Sequence, residues 1–114
     1  MKDLLPTHLL TELLDVNTLE NDEFLGHKLA SSSGRVFGGQ VLAQALMAAS
    51  KTVSADKFVH SCHNYFIRPG DCEQDIIYNV YRDLDGRNFS NRRVVAFQNK
   101  KPIFNLIASF QGKS

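Results

Sequence analysis

Three groups of residues have the types and spacing to do chemistry. Gly38 and Gly39 stand where the apolar run from Val36 to Val53 would enter a helix. The first turn of a helix carries unpaired N–H groups and the positive end of its dipole, and glycine lets a ligand approach the backbone closely. A carbonyl set against such an N–H is polarised toward an oxyanion. The pair equally serves as a tight turn, and it is no P-loop, because no Lys-Ser/Thr follows it. His60 lies in a β-prone run, where a neutral imidazole can orient water or hydrogen-bond a reacting group, or simply satisfy a strand neighbour. His63 is an odd number of residues further on and so belongs to the opposite strand face, which argues against a shared zinc site. Arg68, Arg87, Arg92 and Arg93 form the third group. Arginine forks suit phosphates, although solvated strand-end charge is the plainer reading of any one of them. Arg92 and Arg93 are adjacent and point to opposite faces, so at most one serves a given site. Asp71, in Arg68-Pro69-Gly70-Asp71, reads as a turn residue.

These groups need elements to position them. The stretch from Val36 to Val53 predicts one helix, thin because of Ala43, Ala45, Ala48 and Ala49. Its polar positions Gln40, Gln44 and Lys51 form a narrow stripe, so the helix is expected to be buried almost all round. A shorter helix is expected from Pro6 to Asp15, with Leu9, Leu10, Leu13 and Leu14 on one face. Glu23 to Leu29 predicts a short strand. Phe58 to Ile67, Asp75 to Leu84, Arg87 to Gln98 and Ile103 to Phe110 predict four more, separated by Arg68-Pro69-Gly70-Asp71, Asp85-Gly86 and a turn from Asn99 to Pro102. The expectation is an α+β domain in which an antiparallel meander wraps one helix. The strands do not alternate cleanly. Ile77 and Tyr81 oppose Ile76, Tyr78 and Val80, which predicts a sticky outer face or edge and a partner to cover it.

Composition narrows the function classes. A chain of 114 residues builds one domain, spanning residues 1–114. The net charge of +1 gives no global reason to expect nucleic acid or an acidic membrane. The central helix is too short to cross a bilayer. The 2 cysteines make no disulfide framework and suit a reducing compartment. With no apolar leader after Met1 and no Ser-Lys-Leu ending, a cytoplasmic location is expected.

Four segments occur in a telling order: Arg35-Val36-Phe37-Gly38-Gly39-Gln40-Val41, Val59 to Asp71, Arg87 to Val94, and Lys101-Pro102-Ile103-Phe104 with Ala108-Ser109-Phe110-Gln111. Together they resemble the N-terminal half of the acyl-CoA thioesterase II family, from about Leu9 to Gln111. The resemblance implies the hotdog fold, an antiparallel sheet wrapped around a central helix, and hydrolysis of acyl-CoA to free acid and coenzyme A. It implies no cofactor, since coenzyme A is part of the substrate. His60 is then the catalytic candidate, and Gly38, Gly39, Gln40, Arg68 and Arg92 are the substrate-binding ones. Family members carry a second hotdog, which supplies the usual Asp, Thr or Ser, and Gln. Between Gly38 and Val53 this chain has no Asp or Glu, so its water-activating group is expected from a second hotdog domain or from a homo-oligomer. A non-catalytic acyl-CoA-binding module and an enoyl-thioester hydratase or dehydratase are the alternatives.

Overall fold

A computed structural model describes residues 15–28 and 34–112. The expected helix from Pro6 to Asp15 lies almost wholly outside them. The elements are β1 (Asn17–Thr18), β2 (Glu23–Gly26), α1 (Gly34–Ser50), β3 (Lys57–Phe66), β4 (Ile76–Asp85), β5 (Phe89–Gln98) and β6 (Lys101–Gly112). One six-stranded antiparallel sheet carries them in the order β1-β2-β4-β5-β6-β3. It packs its inner face on α1, as the hotdog reading requires.

The α+β expectation holds, with three corrections. The strands from β4 to β6 form a meander, but β3 is not beside β4. It crosses to the far end of the sheet and pairs with β6, Val59 opposite Phe110 and Phe66 opposite Phe104. The turn between β5 and β6 is also tighter than expected. Asn99 and Lys100 take φ of 52° and 64°, the two left-handed residues of a hairpin whose twist matches its strands, so Lys101 and Pro102 already belong to β6.

The third correction concerns α1. It begins at Gly34, a turn before the glycine pair, and it is not buried all round. Val41, Ala45, Ala48 and Ala49 face the sheet together with Gln40 and Gln44, whereas Leu42, Ala43, Leu46 and Met47 are only half-buried. The polar stripe therefore points inward and a largely apolar stripe points out. The inward glutamines are anchored by their amide nitrogens, although Gln40 Oε1 has no partner among the described residues. Nε2 of Gln40 and of Gln44 donate to the His27 carbonyl at 3.0 and 3.4 Å, and the Tyr78 hydroxyl donates to Oε1 of Gln44 at 2.8 Å. Burial raises the Tyr78 pKa well above the usual phenol range, so the hydroxyl stays a donor. The core is completed by alternate residues of the strands, among them Ile76, Tyr78, Val94, Phe104, Leu106 and Phe110.

Two features leave the domain open. β3 ends the sheet, with Phe58 and Val59 more than half or half exposed, at 56% and 50%, and Tyr65 and Phe66 also exposed. The outward apolar stripe of α1 is the second. Among the described residues no helix is long and apolar enough to cross a membrane.

Candidate functional site

The residues expected to do chemistry separate into three places. Gly38 and Arg68 come together. They border a groove of about 550 Å³ with Phe37, Phe66, Ile67 and Pro69, where α1 passes the corner after β3. The sequence makes this corner locally. The Ile67 and Arg68 N–H groups both point to the Ile103 carbonyl, at 2.8 and 3.4 Å, which turns the chain off the sheet. Pro69 then fixes its own φ. The Arg68 side chain is left exposed at the rim. The Phe66 ring packs on Phe104 at 4.9 Å between centroids. The groove is thus apolar along its length with one cation at its mouth.

Gly39 borders another, smaller recess of about 280 Å³ on the outward stripe of α1, with Leu42, Ala43, Leu46 and Met47. Neither glycine is demanded by the chain itself. A Cβ on Gly38 would meet only Phe66, at 3.8 Å, and one on Gly39 would meet nothing within 4 Å. Because α1 starts at Gly34, the N–H groups of the pair fall beyond the four unpaired ones of the helix start. What the glycines provide is bare backbone surface rather than free donors.

His60 lies elsewhere. It occupies a bulge between Val59 and Ser61, near the opposite end of β3 from Phe66. At about 3.3 Å per residue this places it roughly 20 Å from the groove. Its ring meets Phe89 edge-on, with centroids 6.2 Å apart, and Phe89 belongs to the row that alternates with buried Ser90 and Arg92. His60 therefore looks away from α1. The bulge also breaks the strict alternation on which the opposite-face argument for His63 depended.

Two binding candidates prove to be structural. Gln40 is buried against the end of β2 and turned away from the groove. Arg92 is 1% exposed. Its Nε donates to Thr52 Oγ1 at 2.6 Å, Nη1 to the Leu84 and Asn91 carbonyls, and Nη2 to the Thr52 carbonyl and to Asp85 Oδ1, at 2.9 and 2.7 Å. All five guanidinium donors are used within the chain, so none remains for a phosphate. The hydrogen bond from Arg92 holds the Asp85 carboxyl below its ordinary pKa, with a further contribution from Ser90, against a smaller opposing effect of burial. Arg93 faces the other way, as adjacency requires. It pairs with Asp83 at 3.2 Å and covers the Tyr81 ring at 4.3 Å.

Phe37, Phe66, Ile67 and Pro69 were the groove residues that the sequence did not single out. The Arg-Pro-Gly turn signal marked the place. What it could not show was that the corner folds back onto the first turns of α1.

Comparison with known proteins agrees with this architecture. Residues 28–111 match the family described as acyl-CoA thioesterase N-terminal domain. Human acyl-coenzyme A thioesterase 8 is 47% identical over 103 residues, 90% of this chain and 32% of the relative. Acyl-CoA thioesterase 2 of Haemophilus influenzae is 43% identical over 111 residues, 97% of this chain and 38% of the relative. The crystal structure of an acyl-CoA thioesterase II from Mycobacterium marinum superposes with a TM-score of 0.83 at 38% identity, covering 93% of this chain and 39% of that one. The chain thus spans about a third of the length of the curated relatives it matches.

Proposed function

Since this chain belongs to the acyl-CoA thioesterase N-terminal domain family, we propose that it forms one hotdog half of an enzyme that hydrolyses acyl-CoA to free acid and coenzyme A. The groove between α1 and the Arg68–Pro69 corner carries this reading. Its apolar walls suit an acyl chain and the exposed Arg68 suits an anionic head group. In the reaction a water oxygen bonds to the thioester carbonyl carbon, the carbon–sulfur bond breaks, and a proton passes to the thiolate. The groove holds and orients the substrate. No carboxylate stands on α1, so the group that activates water comes from a second hotdog domain or a second copy.

That partner would add to β3, a long edge strand with exposed apolar side chains, and cover the half-buried apolar stripe of α1. Gly39 lets it come close. His60, remote from the groove of its own chain, would serve only a site completed by whatever pairs with β3. The free thiols of Cys62 and Cys72 suit the reducing cytoplasm.

The test is to measure binding and thiol release with a series of acyl-CoAs. The 114-residue chain is expected to bind them with weak turnover or none. Robust turnover would show that the water-activating group lies in this chain. Failure to bind any acyl-CoA would overturn the reading.

A further inference from the structure

Phe37 forms part of the wall of the groove. This side chain is 7% exposed, yet its ring borders the groove beside Gly38 and Phe66. It reaches that position because residue 70 has no side chain. A Cβ on Gly70 would stand 2.5 Å from Cε2 and 2.8 Å from Cζ of Phe37, and 3.1 Å from Cδ1 of Ile103. The Gly70 backbone is not left-handed, so glycine is required here by space and not by φ. The ring lies against the Gly70 backbone, as Ile103 does, and forms part of the groove wall.

We infer that the contact between Phe37 and Gly70 sets the depth of the groove and so selects the length of acyl chain it accepts, an inference that rests on the acyl-CoA reading above. An alkyl chain entering past Arg68 and lying along Phe66 and Ile67 runs against the Phe37 ring. A shorter side chain at position 37 opens the floor toward Ile103. A methyl group at position 70 displaces the ring, and the close-packed core beneath it leaves the groove as the side with room. The two substitutions therefore act in opposite directions.

The experiment measures affinity for S-alkyl coenzyme A thioethers from butyl to palmityl, with the wild type, Phe37→Leu and Gly70→Ala, each checked by thermal melting. Wild-type affinity should rise about fourfold per methylene and then level off at one length. The plateau should begin at a longer chain in Phe37→Leu and at a shorter one in Gly70→Ala. A merely structural role would lower affinity uniformly and leave the plateau where it is. If folded variants bind the thioethers with the wild-type plateau, the inference fails and the acyl-CoA reading stands. If no thioether binds the wild type, both fail. Should Phe37→Leu not fold, Phe37→Met gives the same readout with less loss of volume.

Discussion

Arg92 grips Thr52 twice, donating from Nε to the side-chain Oγ1 at 2.6 Å and from Nη2 to the carbonyl oxygen at 2.9 Å. An interior residue of the sheet thereby fixes the turn by which the chain leaves α1. The same guanidinium takes the Leu84 carbonyl and Asp85 Oδ1, so helix end and hairpin are tied at one point. Lys57 adds to the tie, its Nζ donating to the Gly86 carbonyl and to Ser90 Oγ, both at 2.8 Å.

Removal of this buried fork should destabilise the fold directly. Arg92→Ala leaves Thr52 and two carbonyls without their donor in a closed site, and since each unmet buried acceptor costs about 1–3 kcal/mol, a clear loss of stability is expected. Arg92→Lys should recover only part of it, because an ammonium cannot reproduce five fixed donors. Urea titration of the three proteins checks both statements.

Asp85 makes part of this tie dependent on pH. Its folded pKa lies below the ordinary 3.8, so the folded state binds the proton less readily than the unfolded one. The contribution is complete above that ordinary value and is lost as the pH falls below it, through the folded pKa. Asp85→Asn should therefore be less stable than the wild type at pH 7, and the difference should shrink toward zero in strong acid. Melting curves across the acid range decide it.

Two glycines should respond in opposite senses. A Cβ on Gly26 would collide with Gln44 Oε1 and come within 2.7 Å of the Tyr78 ring, so Gly26→Ala should cost about 1–3 kcal/mol by overpacking. Gly39 is inside a helix with open space beside it, so Gly39→Ala should stabilise the isolated chain by about 0.5–1 kcal/mol. If the bare surface at Gly39 receives a partner, that variant should also associate less well. Denaturation and sedimentation on the same samples separate the two effects.

The uncovered edge predicts self-association. The chain should sediment as a dimer or larger, and Val59→Lys on β3 should shift it toward monomer, because a charged residue blunts an open strand edge. A wild-type chain that stays monomeric at high concentration would contradict this.

The sequence displayed the elements more readily than their placement. The strand runs and the Asp85-Gly86 and Asn99 turns follow from local chemistry and were legible to within a few residues. The position of β3 beside β6 was not, because its partner is set by long-range pairing that no local pattern encodes. Neither was the orientation of α1. A wheel shows that Gln40 and Gln44 share a face, but which way that face turns is decided by the half-buried His27 carbonyl and the core Tyr78 hydroxyl that receive them. Arg92 misled for a related reason. Residue type advertised a phosphate fork, while Thr52 and Asp85, distant in sequence or split by a turn, had already claimed it. Gly38 and Arg68 are each picked out by residue type, but nothing local shows that they border one groove. The Phe37 ring between them was hidden in the apolar run.

The position of β6, flanked by β5 on one side and β3 on the other, bears on how the chain is made. On the ribosome β3 emerges long before the strand it pairs with. Val59 and Phe66 must stay unpaired until Phe110 and Phe104 are synthesised. Such late closure raises contact order and slows folding, and it leaves a hydrophobic ribbon exposed to aggregation or to chaperones in the interval. Loss of β6 would thus remove one strand and orphan another, splitting the sheet from within.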